Sequence, residues 1–372
     1  MKSILPRQDF LDALNAVGTL AGGRTTRPIL GCVKLSAEGE RLELCATDGE
    51  AGLRLGVPAL SVETPGEIVV PADRLLPIIR EMTDVEIRLE SDDRYCTIRG
   101  EGSEFRIFVM NVADFPPVPG FDDEPDLVIG GHVLRRMIGL TLYAAARETS
   151  RYAINGVLWE KQGKRLFVVA TDGRRLARAG GAVLKSSSGD FEAVLPAKAM
   201  SVFEKVFVPS RDDGDWNVDI KVMPNQVLLR TGDRVLSTVL VEGNFPKYDD
   251  VIPKEHSKVA RLDRELLFHA VKKAALLTTE ESRAVKLSFD GEQLEITSQA
   301  PEQGDARVNM PIGYEGEPLV IGFNPAFLND ALRVLPFNEV YLDLHETFRP
   351  GVLRGEDKNE FLYVVMPVSL ST

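Results

Sequence analysis

Cysteine is nearly absent from this 372-residue chain: Cys32, Cys45 and Cys96 are odd in number, widely spaced and form no C-x-x-C. No disulfide or thiolate-metal framework is expected, and the three read as reduced thiols in strands. Histidine is as sparse: His132, His256, His269 and His345 stand singly, without metal-ligand spacing, so no metal is expected. No apolar run reaches membrane-span length, and MKSILPRQDF turns charged before a signal-peptide core forms, so a cytoplasmic location is expected. Aromatic residues make up 7 %, too few for a stacking platform on single strands. The patterns G-x-S-x-G, G-x-x-x-x-G-K-[ST] and G-x-G-x-x-G are missing, and no general acid, base and nucleophile come together in the sequence. Positive charge is also short. The formal net charge is −12, the opposite of the usual nucleic-acid footprint.

Repetition is what the chain has instead. A strand running through proline or asparagine-proline into an amphipathic helix occurs in IVVPADRLLPIIREM (68–82), AVLPAKAMSVFEKVF (193–207) and VIGFNPAFLNDALRVL (320–335). The copies are spaced by roughly 125 residues, about one ordinary domain. An earlier helix precedes each, in PRQDFLDALNAVG (6–18), GGHVLRRMIGLTL (130–142) and LDRELLFHAVKKAAL (262–276). Repeats this long argue for one domain copied three times, not a short-period solenoid. The acidic linker FDDEPDL and the segment KEHSK divide the chain into expected domains 1–121, 127–252 and 254–372.

Within each domain the periods alternate. Val85, Ile87 and Leu89, then Cys96 and Ile98, then Phe105, Ile107 and Val109 follow a strand period broken by SDDR and GEGS, so an antiparallel meander is expected. Phe10, Leu11, Leu14 and Val17 form a helical stripe, and Lys198, Ser201 and Lys205 share a helix face opposite Phe203. Asn324 and Pro325 suit the N-cap and first turn of the last helix. The expected class is α+β, two helices on antiparallel strands per domain. Acidic residues crowd the loops, whereas Arg7, Arg24, Arg74, Arg80, Arg135, Arg136, Lys198, Lys205, Arg264, Lys272, Lys273 and Arg333 lie in or beside helices. Helices sharing one face would gather these into a basic surface suited to phosphates, not to base reading.

Two T-D-G triplets admit two readings. Asp48 and Asp172 are either carboxylates of a metal-dependent phosphoesterase or residues of tight turns, where Asp bonds its own backbone and Gly accepts positive φ. The turn is favoured, because one enzyme site would not need the motif in two domains with different neighbours.

GGRTTRPIL, ATDGRRLA, NFPKYDDVIP and the terminal YVVMPVSL, in that order across the repeats, resemble the bacterial DNA polymerase III beta subunit, the sliding-clamp family, over the whole chain. The resemblance implies a non-catalytic processivity factor without cofactor. It implies a head-to-tail homodimer whose three domains per chain form a ring, with helices lining the hole around double-stranded DNA. It implies as partners the replicative polymerase, the clamp loader and repair polymerases, which dock a short peptide.

Matching positions implied for that peptide pocket are Ile154, Thr171, Gly173, Arg174, Arg175, Leu176, Pro246, Val251, Asn324, Phe327, Val364, Val365, Met366, Pro367 and Val368. Without the resemblance, Val364 to Pro367 would read as a core strand. The implied dimer seam sets Phe105 and Ile107 against Leu276 and Leu277 of the partner. The implied DNA contacts are Arg24, Arg80, Tyr152 and Lys198. The chain departs from the family pattern at Ala153, Asp250 and Ser369 in the pocket, and at Asp73 and Glu148 near the DNA channel.

Overall fold

A strand that turns directly into a helix is the element this fold repeats. The computed structural model describes all residues except 24–25, 149–151, 210–215, 279–283, 301–302 and 371–372. Its α-helices are α1 (Arg7–Ala21), α2 (Ala72–Glu81), α3 (Gly131–Thr141), α4 (Ala197–Val206), α5 (Arg264–Ala274) and α6 (Pro325–Val334), two for each expected domain. Helix α1 follows the strand Lys2–Pro6, α3 follows Leu127–Gly130 and α5 follows Lys258–Asp263. Asp263 caps α5 by accepting from the Leu266 amide, and Asn324 caps α6 by accepting from Ala326, with Pro325 in the first turn as expected.

The chain divides into two compact units: Met1–His132 with Val183–Ser188 and Lys198–Leu240, and Val133–Ala182 with Gly189–Ala197 and Val241–Thr372. The middle repeat is thus shared between them. In the first unit an antiparallel sheet runs Gly66–Pro71, Cys32–Glu38, Arg41–Thr47, Ala51–Pro58, Arg234–Val239, Gln226–Thr231, Asn217–Val222, Leu127–Gly130. A second, five-stranded sheet runs Ser61–Thr64, Lys2–Pro6, Glu86–Ser91, Tyr95–Gly100, Ser103–Phe108. The meander expected around residues 85–109 is therefore present, although Val85 and Val109 lie outside its strands and Val85 is 85 % exposed.

The second unit repeats the first unit's long sheet strand for strand. Its order is Phe191–Pro196, Gly156–Gln162, Arg165–Thr171, Arg175–Ser186, Phe361–Val365, Gly351–Arg354, Glu339–Leu344, Lys258–Asp263. In each long sheet, four strands come from one repeat and four from the next. A four-stranded sheet, Leu319–Phe323, Val285–Asp290, Gln293–Ala300, Gly304–Pro311, completes this unit.

The helices bury apolar stripes, and α1 packs on the strands Arg41–Thr47 and Ala51–Pro58. Helix α1 buries Phe10, Leu14, Val17 and Leu20, and α4 buries Phe203 with Met200, Val202 and Val206, leaving Lys198 and Lys205 exposed as the helical period requires. All three cysteines are free and buried. Burial pushes the thiols of Cys45 and Cys96 up to about 12.

Candidate functional site

Strands Arg175–Ser186 and Phe361–Val365 lie side by side in the second unit, with Arg175 opposite Val365 and Leu176 opposite Val364. The Met366 amide continues the ladder to the Arg174 carbonyl at 3.0 Å. Leu176 and Val364 belong to a buried cluster with Leu158, Val169, Tyr248 and Leu362, and Phe245 and Ile252 pack against it. Beyond Val365 the chain emerges, so that Met366 is 42 % and Val368 37 % exposed, with Val251 50 % exposed nearby in sequence to Tyr248. Val364 and Val365 are therefore core, as the strand reading expected, whereas Met366 and Val368 are available to a ligand. The Val368 amide donates to the Gly322 carbonyl at 2.8 Å, tying the tail to the strand that leads into α6. Gly322 permits this approach, because a Cβ there would stand 2.7 Å from both Leu370 and the Val368 oxygen.

Arg175 is consumed by the scaffold. It donates from Nε to Asp172 at 3.1 Å, from Nη1 to Asp330 at 2.8 Å and from Nη2 to the Tyr143 carbonyl at 2.8 Å. Its guanidinium lies 4.6 Å from the Phe327 ring centroid, and the Tyr363 hydroxyl donates to the Phe327 carbonyl at 2.9 Å. Burial works against this charge, yet the Asp330 bond and its other polar neighbours outweigh burial and raise Arg175 above its ordinary value. The first turn of α6, which carries Asn324 and Phe327, is thereby fixed to the T-D-G turn. Arg174 is exposed on that turn.

The remaining implied pocket residues fall in the same unit. Ile154, Pro246 and Pro367 are half-buried, Gly173 is exposed, and Thr171 is buried with its hydroxyl donating to the Arg175 carbonyl at 2.6 Å. Ala153 sits in the apolar cluster, while Asp250 and Ser369 are exposed. Tyr248, which was not singled out from sequence, joins the cluster through its ring and donates from its hydroxyl to Glu160. Its place in NFPKY was the available signal.

The other implied sites divide. Phe105, 38 % exposed, and the half-buried Ile107 lie on Ser103–Phe108, the last strand of its sheet. Leu276 is 76 % exposed and Leu277 half-buried in the turn after α5. Among the implied DNA contacts, Arg24 lies outside the described residues. Arg80 is exposed and donates to Asn15 at 3.0 Å, Tyr152 is 43 % exposed, and Lys198 forms an ion pair with Asp48. Asp73 and Glu148 are exposed.

Two arginines assigned from sequence to the basic surface are structural. Arg7 donates to the carbonyls of Asp84 and Ile79, and Arg264 to those of Phe337 and Leu332, so each satisfies groups at the end of the second helix of its domain. Spacing cannot distinguish such a cap from a solvated cation. Asp48 and Asp172 both accept from the amides two and three residues on, the tight-turn arrangement favoured from sequence. Among the described residues no group of three or more His, Cys, Asp or Glu is arranged to hold a metal ion, and no helix is long and apolar enough to cross a membrane.

Models of the DNA polymerase III beta subunit match the chain in succession: the N-terminal domain at residues 1–119, the central domain at 128–247 and the C-terminal domain at 249–369. The beta sliding clamp of Escherichia coli (strain K12) is 31 % identical over 371 residues, covering 100 % of both chains. The chain belongs to this family. The crystal structure of the DNA polymerase III subunit beta from Pseudomonas aeruginosa matches with a TM-score of 0.91 at 30 % identity, over 99 % of this chain and 100 % of that one. The DNA polymerase sliding clamp from Bacillus subtilis matches with a TM-score of 0.94 at 25 % identity, over 100 % of both. Three tandem clamp domains make this chain a DNA sliding clamp, a non-catalytic processivity factor of DNA polymerase III with DNA and the polymerase as partners.

Proposed function

We propose that two copies of the chain join head to tail into a closed ring around duplex DNA, each copy contributing domains 1–121, 127–252 and 254–372. The observation that carries this reading is the unfinished sheet at each end of the chain. Each long sheet pairs four strands of one repeat with four of the next, but the first repeat also contributes Lys2–Pro6, Glu86–Ser91, Tyr95–Gly100 and Ser103–Phe108, which among the described residues pair with no strand of another repeat. The third repeat likewise contributes the four-stranded sheet edged by Gly304–Pro311, which among the described residues pairs with no strand of another repeat. Each half would complete the other in a second copy, and a head-to-tail contact of this kind must close or polymerise.

A ring also accounts for how an acidic protein holds DNA. It need only fail to fall off, so weak phosphate contacts from Arg24, Arg80, Tyr152 and Lys198 suffice and permit sliding. Leu176, Pro246, Asn324, Phe327 and Met366 are read as the lining of a cleft that would take an extended peptide with apolar anchors, supplied in turn by the replicative polymerase, the clamp loader and repair polymerases. Loading the protein onto nicked circular DNA and then cutting the circle tests the ring. Retention on the circle with loss on cutting is expected; equal retention on both forms would remove the topological mechanism.

A further inference from the structure

The two seams that the chain makes with itself specify the one it makes with another copy. We infer that Gly304–Pro311 of one copy pairs antiparallel with Ser103–Phe108 of the next in the register that sets Glu104 opposite Arg307 and Phe105 opposite Ala306. This deepens the ring reading and rests on it.

The register follows from equivalent positions. Arg41, Arg165 and Gln293 open their hairpins opposite Pro58, Ala182 and Pro311. Stepping back equally from those three partners reaches Arg54, Arg178 and Arg307. On the other side of each seam, Val235 lies opposite Arg230, Leu362 opposite Arg354 and Glu104 opposite Arg99. Within the chain, Val235 pairs with Arg54 and Leu362 with Arg178. The third pair of the series is Glu104 with Arg307.

The next position agrees. Leu236 pairs with Leu53 and Tyr363 with Ala177, which sets Phe105 against Ala306. Tyr363 also meets Tyr143, at 5.8 Å between ring centroids, in the middle of the turn Leu142–Ala144. The equivalent middle residue of Ala275–Leu277 is Leu276, the exposed leucine that Phe105 would cover.

Charge separates this seam from the other two. At the position filled by Val235 and Leu362, the seam between copies has a carboxylate. Glu104 bonds Arg99 at 2.6 Å, and Arg99 bonds Glu90 at 2.6 Å. Across the gap, Arg307 bonds Glu295 at 3.3 Å. Pairing in this register would make one row of alternating sign, Glu90, Arg99, Glu104, Arg307, Glu295. A slip by one residue would flip the side chains to the other face and break the row. Seams inside a chain are held by covalent connection, whereas a seam between separate molecules needs selection, which opposite charges supply.

The test is a charge swap in the full-length protein, followed by the dimer dissociation constant from sedimentation, with melting temperature as the check on folding. Glu104→Arg and Arg307→Glu are each expected to weaken the seam about tenfold, and hence the two-seam dimer on the order of a hundredfold. The double variant Glu104→Arg/Arg307→Glu should return to within a few-fold of wild type. A double variant no tighter than the singles, with melting temperatures unchanged, overturns the register. As a second measurement, Phe105→Cys with Ala306→Cys should yield a covalent dimer on oxidation, while Phe105→Cys with Val308→Cys should not; the reverse pattern also overturns the register. Wild-type protein that stays monomeric at every concentration would instead overturn the ring.

Discussion

Asp172 repeats Asp48. Asp48 accepts from the amides of Glu50 and Ala51 at 3.0 and 2.8 Å, and Asp172 from those of Arg174 and Arg175 at 2.9 and 3.1 Å. The preceding threonines agree too, Thr47 donating to the Ala51 carbonyl and Thr171 to that of Arg175. Gly49 and Gly173 take φ of 96° and 85°, which a side chain would resist. What differs is the cation each turn engages: Lys198 of α4 for Asp48, Arg175 for Asp172.

Replacing either aspartate with alanine should therefore cost stability, not chemistry. Asp48→Ala and Asp172→Ala are each expected to lose roughly 1–3 kcal/mol in denaturant melts, from lost acceptors and an unpaired cation. Asparagine, which still accepts, should cost less. An asparagine variant as unstable as the alanine one would assign the effect to charge alone.

Acid should weaken the last domain through Asp343, which is 3 % exposed and accepts from Arg354 at 2.9 Å and Lys358 at 2.8 Å. Burial pushes this carboxyl up, but the two cations outweigh it and hold it below the ordinary 3.8. A group depressed in the folded state stabilises at pH above its unfolded value and ceases to do so as pH falls through the folded one. The contribution is thus expected to fade below about pH 4. Asp343→Asn should be less stable than wild type at neutral pH, with its melting curve approaching that of wild type as acid is added. A constant gap down to pH 2 would contradict this.

Asp330 should act on partner binding through Arg175. Asp330→Asn removes one anchor of the guanidinium that stacks on Phe327. If a tenth of molecules then present Phe327 correctly, a clamp-binding peptide should bind about tenfold more weakly by calorimetry. Asp330→Glu should recover part of the loss, and the dimer should be unchanged. Equal affinities in all three proteins would make the network irrelevant to the cleft.

Gly322→Ala should free the tail. Its methyl would collide with Leu370 and the Val368 carbonyl. Overpacking of this kind costs about 1–3 kcal/mol, here relieved by releasing residues after Val365. Faster proteolysis of the C-terminus and weaker peptide binding are expected together. Loss of binding with the tail still protected would point to another cause.

The periodic parts of this chain were legible because burial enforces them. The stripe of Phe10, Leu14 and Val17, the meander, and the Asn324 cap all express local rules. The proposed peptide cleft rests on the resemblance alone, since its residues come from segments far apart in sequence. Side chains with two plausible fates were not legible. Arg7 and Arg264 look like surface cations in sequence and Arg175 like a pocket residue, yet carbonyls and carboxylates brought by distant segments bind them. Lys198 was assigned to a basic face, and the fold gives it Asp48 as well.

The buried thiols have a practical consequence. Maleimides react with thiolate, and Cys45 and Cys96, inaccessible and held near 12, offer almost none at neutral pH; Cys32 is buried and shifted in the same direction. A reporter cysteine placed on an exposed position could carry a fluorophore without the native three being removed, so distances across the proposed ring become measurable in an otherwise unaltered chain.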